Sequence, residues 1–386
     1  MHAGTGIELM NERLKKICFL PPAADTPWVG TPADDGSIQI ERTDGKQVSL
    51  KSPLFWYDPP WSEIEIDSAD VIAAAVARLR VVVSALRSDL SAVDGDPELH
   101  QVVSDDTTNG REQAADYLPR MIPYRPERYG LSDRDFDGAA VVDVRLAMRR
   151  NSTGRFAFTP EEIGRWEATH GDSPLAGGGW VPAASFPPDV DCLSNLGGKL
   201  SQLRLLAEDA AVFVSIAPHR LNDELPAVLA ALPDGIILRL NELDLSALEL
   251  AQSVKQTRCM MDEQQCSHVP LWVVPGKITA DDAAKLIALG ANAVAIDSWG
   301  QKLVNEVKNA QQNSDSNSGY SSLSRHSSQD WVDWVEYELH SQIERFDGLM
   351  HAMLYQTPGQ RLATLSAEWA NTLSIPNLNL PFKPSS

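Results

Sequence analysis

The chain is expected to be α/β, folding as a (β/α)8-type, TIM-like barrel, and three observations lead there. Short apolar runs alternate with helical patterns from about residue 211 to residue 310. The runs are continuously apolar, as in strands covered on both faces. Strand, helix and strand follow one another at the spacing of a parallel sheet. That spacing alone leaves a closed barrel and an open doubly wound sheet both open.

Before this region the signals are weaker. Residues 1–60 read as irregular, with one strand pair: Ile38-Gln39-Ile40 and Val48-Ser49-Leu50 flank Asp44-Gly45, a hairpin-turn dipeptide. Residues 51–61 are rich in aromatics and proline. Asp67 or Ser68 then caps a helix expected over 69–90, because its apolar residues recur at helical spacing. Residues 91–115 are polar and acidic and read as a loop. Ala139-Ala140-Val141-Val142 is a buried strand, and 145–150 is expected to be helical. Thr159-Pro160-Glu161-Glu162 has the residue types of a helix start. A Gly/Pro-rich loop covers 173–188. With one convincing strand between 118 and 195, an irregular or truncated first half of the barrel is expected.

The second half is regular. Strands are expected at 211–216, 235–240, 270–274 and 293–296. Helices are expected at 222–232, 245–261, 279–289 and 301–311. Residues 313–330 are Ser-rich and read as a linker or disordered insertion. An amphipathic helix at 331–353 carries Trp331, Trp334, Tyr337 and Phe346, read as a docking surface. The resulting division is an N-terminal extension with hairpin and long helix (1–115), a β/α barrel (116–312), a linker (313–330), and a C-terminal helical segment with tail (331–386).

The 386 residues are 43% apolar and 22% charged, enough for a sizeable core. A formal net charge of −20 repels phosphate backbones and anionic membranes, so neither nucleic acid nor membrane is an expected partner. No apolar run approaches the roughly 20 residues of a membrane span. The N-terminus lacks the apolar core of a signal peptide. A cytoplasmic protein is expected, with a small-molecule ligand and either a homo-oligomer or a protein partner. Cys259, Cys266 and His268 lack the paired spacing of a structural zinc site, so no metal is expected.

In a β/α barrel, chemistry sits where strands end. The residues there are Ala217-Pro218-His219-Arg220, Asn241-Glu242, Pro275-Gly276-Lys277 and Asp297-Ser298-Trp299-Gly300. Gly276 lets backbone N–H groups approach an anion, and the helix that starts after Thr279 adds its positive dipole end. Asp281 and Asp282 compete for that same dipole. With Leu289-Gly290 feeding the next strand, this pairing suits barrel strands seven and eight, where phosphate sites are common. His219 is a candidate acid/base, and Asp297 a candidate ligand for a hydroxyl or a metal.

Three segments resemble the FMN-binding barrel of the glutamate synthase large-chain family. Residues 152–159 (STGRFAFT) look like its S-G-R-F-G-V-T segment. Gly177-Gly178-Gly179-Trp180-Val181-Pro182 resembles its G-E-G-G-x-L-P loop. Gly276 to Asp282, running on to Gly290-Ala291-Asn292, is similar to its late G-G-x-x-T-G-x-D…G-A segment. The resemblance spans about 139–310. It implies an FMN-dependent oxidoreductase, with cofactor contacts at Gly276, Lys277, Ile278, Thr279, Asp297 and Ser298. The departures are as informative. The family's Gly-rich loop and its V-S-V-K-L strand both reach a lysine, and the matching positions here are Ser185 and Ser215. Serine cannot replace that charge. The Cys-rich segment and the amidotransferase part also have no counterpart, so the resemblance implies no iron–sulfur cluster and no full glutamate synthase activity. Only Arg220 and Lys277 read as strand-end cations. The alternative is a catalytically inactive barrel scaffold that acts through protein–protein binding.

Overall fold

The computed structural model describes residues 12–21, 37–61, 64, 66–86, 118–124, 131, 133–146, 157–158, 181–182, 190, 192–316, 328–353 and 361–379. The segments expected at 152–156, 159–180 and 183–188, Ser185 among them, lie outside the described residues.

Eight parallel strands close into a barrel in chain order. They are β1 Leu54–Trp56, β2 Val82–Ser84, β3 Arg120–Tyr124, β4 Ala139–Arg145, β5 Ala211–Ile216, β6 Gly235–Arg239, β7 Leu271–Val274 and β8 Ala293–Ala295. Closure is made by β8 on β1, with Val294 opposite Leu54 and Ala295 opposite Phe55. The strands expected to be seventh and eighth hold those positions. The helices are α1 Ile66–Arg78, α2 Asp133–Phe136, α3 Leu196–Leu206, α4 Leu221–Ala230, α5 Ala247–Glu263, α6 Ala280–Ala288, α7 Asp297–Ser316, α8 Ser328–Met353 and α9 Ala367–Leu373.

Several sequence expectations are corrected. The barrel starts at Leu54, so β1 and β2 lie inside what was expected to be an N-terminal extension. The helix expected over 69–90 ends at Arg78. Arg80 takes a left-handed φ of 56°, which ends the helix, and the β-branched run Val81-Val82-Val83 then enters the barrel as β2. Arg145, expected in a helix, is the last residue of β4. The first half of the barrel is therefore complete. Helix α7 starts at Asp297 and runs to Ser316, and α8 starts at Ser328, so both take up ends of the expected linker.

Inside the barrel, alternate residues of each strand meet. Phe55, Val82, Met121, Val141, Phe213, Ile237 and Trp272 form the packed layer. The Trp272 ring lies 4.7 Å from both Phe55 and Phe213. Phe213 fits only because residue 235 is glycine: a Cβ there would come within 2.3 Å of its ring. The hairpin Ile38–Glu41 with Gln47–Leu50 plugs the end where the strands begin, adding Ile40, Val48 and Leu50 to this core. Asp234, just before β6, accepts from Thr43 N–H at 2.9 Å and holds Arg204 at 3.0 Å. The opposite end, where the strands finish, is left for polar side chains.

The ring of helices is closed by α8, which packs on both α1 and α6. Its Val335, Leu339 and Phe346 are buried, while Tyr337 is 72% exposed. Of the aromatics read as a docking surface, Phe346 is buried and Trp331 and Trp334 pack half-buried against the chain's own core. Residues Ile17–Phe19 pair antiparallel with Leu362–Thr364, joining the two ends of the described chain.

Candidate active site at the barrel mouth

β4 ends Val142-Asp143-Val144-Arg145. Pleating points Val142 and Val144 at the helices, and Asp143 and Arg145 into the barrel. Both are buried. Arg145 Nε donates to Asp143 Oδ2 at 2.7 Å, and Nη1 to Asp58 Oδ1 at 2.6 Å. Its Nη2 donates to the Tyr57 carbonyl at 2.8 Å and to Ser84 Oγ at 3.3 Å. Its guanidinium lies 3.7 Å from the centre of the Tyr57 ring. The second Asp143 oxygen takes a short hydrogen bond from Ser215 Oγ, which also lies 3.1 Å from Tyr57 OH. One network thus ties the ends of β1, β2, β4 and β5. Its carboxylates keep Arg145 protonated far above the ordinary range. Burial pushes the Tyr57 phenol up, against the pull of Arg145.

Arg239, the last residue of β6, is a second buried cation. Nη2 donates to the Leu146 carbonyl at 2.6 Å, and Nη1 lies 3.2 Å from Glu242. Its Nε is closed off from solvent with no partner. Ser215, which the resemblance set against a lysine, is buried and bonds Asp143 and Tyr57. The positive charge comes instead from Arg145 and Arg239, which corrects the expectation that Arg220 and Lys277 are the strand-end cations. Arg220 is half exposed and pairs loosely with Glu224 at 3.6 Å; Lys277 is exposed. His219 sits in the turn Pro218–Arg220 on the same rim.

Asp297 opens α7 directly after β8. Its Oδ1 accepts the Asp58 N–H at 2.6 Å, whereas Oδ2 is closed off from solvent without a donor. Burial, with the like charge of Asp58, raises its pKa to about 7, against the pull of backbone N–H groups and Arg145.

The Gly276–Ser298 corner is more fully used than expected. Gly276 has φ +78, and a Cβ there would meet Asn241 at an ordinary 3.6 Å. The Ile278 N–H points to Ser298 Oγ at 3.3 Å. Thr279 caps α6 in a box with Asp282. Asp282, wholly buried, accepts from Thr279 N–H at 3.0 Å, Arg13 N–H at 3.0 Å and Leu14 N–H at 2.6 Å. Arg13 Nη1 reaches the Pro275 carbonyl at 3.0 Å. The chain's own carboxylate therefore occupies the α6 N-terminus, in line with the competition read from the sequence. Asp281 is held by Arg345.

The sequence reading missed Tyr57, Asp58, Asp143, Arg145 and Arg239. One signal was present: Asp143 and Arg145 stand two apart at the end of an apolar strand, hence on one face. Among the described residues no group of three or more His, Cys, Asp or Glu side chains could hold a metal, and no helix is long and apolar enough to cross a membrane.

No family model matches the chain, and no curated protein matches it. Solved structures that resemble it include a mandelate oxidase with benzoyl-formic acid, at 15% identity and TM-score 0.46, covering 92% of this chain and 88% of that one. A mandelate oxidase mutant with the C4a-OH-FMN adduct has 15% identity and TM-score 0.44, over 91% and 88%. A (putative) lactate oxidase of Pediococcus acidilactici has 11% identity and TM-score 0.45, over 88% and 80%. The barrel itself rests on the chain's own strand pairing.

Proposed function

We propose that the chain is a flavin-type oxidoreductase barrel that binds FMN at the mouth and does not carry out the full glutamate synthase reaction. The observation that carries this reading is Arg239 at the end of β6, a buried guanidinium whose Nε has no partner; Arg145, at the end of β4, is already neutralised by Asp58 and Asp143. A buried cation at a barrel mouth favours an anionic or electron-rich ligand. The donor set fits such a group. The orphaned Nε of Arg239 is a donor in need of an acceptor, and Gly276 and the exposed Lys277 lie in the loop after β7, the strand that pairs with β6. Ile278 and Thr279 fit less well, because their N–H groups already have acceptors within the chain. Gly276, Lys277 and Arg239 would therefore hold the cofactor's anionic and carbonyl parts. Bound there, FMN would supply a two-electron acceptor. Tyr57, Ser215 and Asp143 would keep Arg145 fixed, and the aromatic layer of Phe55, Phe213 and Trp272 excludes water from below.

A second reading, a scaffold without catalysis, draws on the filled α6 N-terminus, where the Asp282 carboxylate, held by the Arg13 and Leu14 N–H groups, stands in place of a bound anion. The visible absorption spectrum of the purified chain, with denaturation to release any chromophore, separates the two. Stoichiometric FMN is expected. A colourless protein that also fails to take up added FMN would overturn the flavin reading in favour of the scaffold. Within the flavin reading, Gly276→Asp should abolish FMN retention in a chain that still unfolds cooperatively but is about 1–2 kcal/mol less stable, since the position has room for a side chain while its φ of +78 strains any residue with a Cβ. Unchanged retention would move the phosphate away from this loop.

A further inference from the structure

Asp297 makes no bond to Arg145 and joins its network only through the Asp58 N–H, and among the described residues its Oδ2 is the buried carboxylate oxygen without a hydrogen-bond partner. Oδ1 is fixed by the Asp58 N–H at 2.6 Å, while Oδ2 is shut off from solvent and faces no donor. An ionised carboxylate in that position would leave a buried acceptor bare, which is unfavourable. A proton on Oδ2 turns the same atom into a donor. We propose that Asp297 is the proton-carrying group of the barrel mouth, exchanging a proton at Oδ2 with a hydroxyl or amine of a bound molecule. This rests on the mouth being the reaction site, and not on the identity of the cofactor.

The surroundings suit the role. The charged groups that act on Asp297 are Asp58, from the loop after β1, and Arg145, from β4. Asp58 repels the ionised form and Arg145 attracts it, and burial adds to the repulsion, which brings the carboxyl to about 7. A group that titrates near neutrality is half protonated where proton transfer in either direction is cheapest. The backbone holds it still. Trp299, two residues on, donates Nε1–H to the Ile278 carbonyl at 2.9 Å, and Gly300 lets the first turn of α7 lie against the Trp56 ring. In the acid direction the proton leaves Oδ2 for a lone pair of the ligand heteroatom, giving the carboxylate and a protonated ligand. In the base direction the same proton returns. No electrons change hands in this step. Asp58 is a positioning residue: its N–H aims the carboxyl and its charge sets the proton affinity.

The experiment uses the full chain and dicyclohexylcarbodiimide, which adds to a protonated carboxyl in an apolar setting and leaves an N-acylurea that peptide mass mapping locates. Asp297 should be the residue labelled, with labelling falling away as pH rises through about 7. Asp58, ion-paired with Arg145, should stay unlabelled. Label that is independent of pH, or that falls on another carboxyl while Asp297 stays clean, would overturn the proposal. Infrared difference spectra supply a readout that needs no reagent to enter. The protonated-carboxyl band should titrate near the same pH, disappear in Asp297→Asn, and move to lower pH in Asp58→Asn. A neutral-range band that persists in Asp297→Asn would also overturn it. Neither measurement depends on flavin, so a colourless chain with a titrating Asp297 would defeat the cofactor reading alone.

Discussion

At the scale of the residue, the mouth is a set of buried charges that stabilise the fold only while each has its partner. Asp143 is wholly enclosed and satisfied by Arg145 and Ser215. Arg145→Met should therefore cost roughly 3–5 kcal/mol, because it strands a buried carboxylate. Adding Asp143→Leu to that variant should restore much of the loss, and urea unfolding of the single and double variants measures both steps. Asp297 gives a pH prediction with a definite sign. Its folded pKa, about 7, lies above the ordinary 3.8, so the folded chain holds the proton more tightly than the unfolded one. Its contribution is then fully favourable below about 4 and is lost as pH rises to about 7, by up to about 4 kcal/mol. In Asp297→Asn this part of the pH dependence should vanish from thermal denaturation profiles, with the gain in stability appearing on the alkaline side. Asp297 was legible as a strand-end candidate, but its neighbours Asp58 and Arg145 were not, because their meaning depends on closure: the three are distant in the chain and meet only where β1, β4 and β8 end.

At the scale of the element, legibility followed apolar continuity and flanking helices more than strand length: β8, three residues after the capped α6, was legible, whereas β3, five residues carrying Arg120 and Pro123, was not. β5, β6 and β7 are four to six residues long, continuously apolar, and separated by helices with clear caps such as Ser246 and Thr279. β1 and β2 have three residues each, too few for any periodicity. β2 also follows α1 so closely that its valines read as more helix. The start of α6 at Thr279 was legible, but the capping boxes at Ser246–Glu249 and Thr279–Asp282 were not read, and neither was the buried use of Asp282 by Arg13 and Leu14, because that contact spans the chain. Within β6 the decisive residue is small. Gly235→Ala would drive a methyl group into the Phe213 ring, which is wedged against Trp272. The expected cost is about 1–3 kcal/mol of overpacking, read as a lower denaturation midpoint. Phe213→Leu in the same chain should recover part of it, whereas an alanine tolerated without loss would mean that the ring packs elsewhere.

At the scale of the molecule, the division read from sequence treats residues 331–386 as a segment apart from the barrel. In the fold its helix α8 is part of the barrel wall. Helix α8 fills the gap in the ring between α6 and α1, and Val335, Leu339 and Phe346 go into the shared core. The ends are tied again by the Ile17–Phe19 and Leu362–Thr364 ribbon, where Thr364 Oγ1 donates to the Lys16 carbonyl at 2.7 Å. Sequence pattern supplied the helix but not its partner, since an amphipathic stripe is equally consistent with an outside protein and with the chain itself. The distinction is measurable. If α8 docked an external partner, a chain ending at residue 327 would keep cooperative unfolding and lose only binding. With α8 as the eighth helix of the ring, that truncated chain should expose the apolar flanks of α1 and α6, bind a hydrophobic dye and lose its sharp thermal transition. Phe346→Ala in the full chain tests the same contact more gently. It should cost roughly 3–5 kcal/mol, as expected for a large side chain removed from a closed core rather than from a surface.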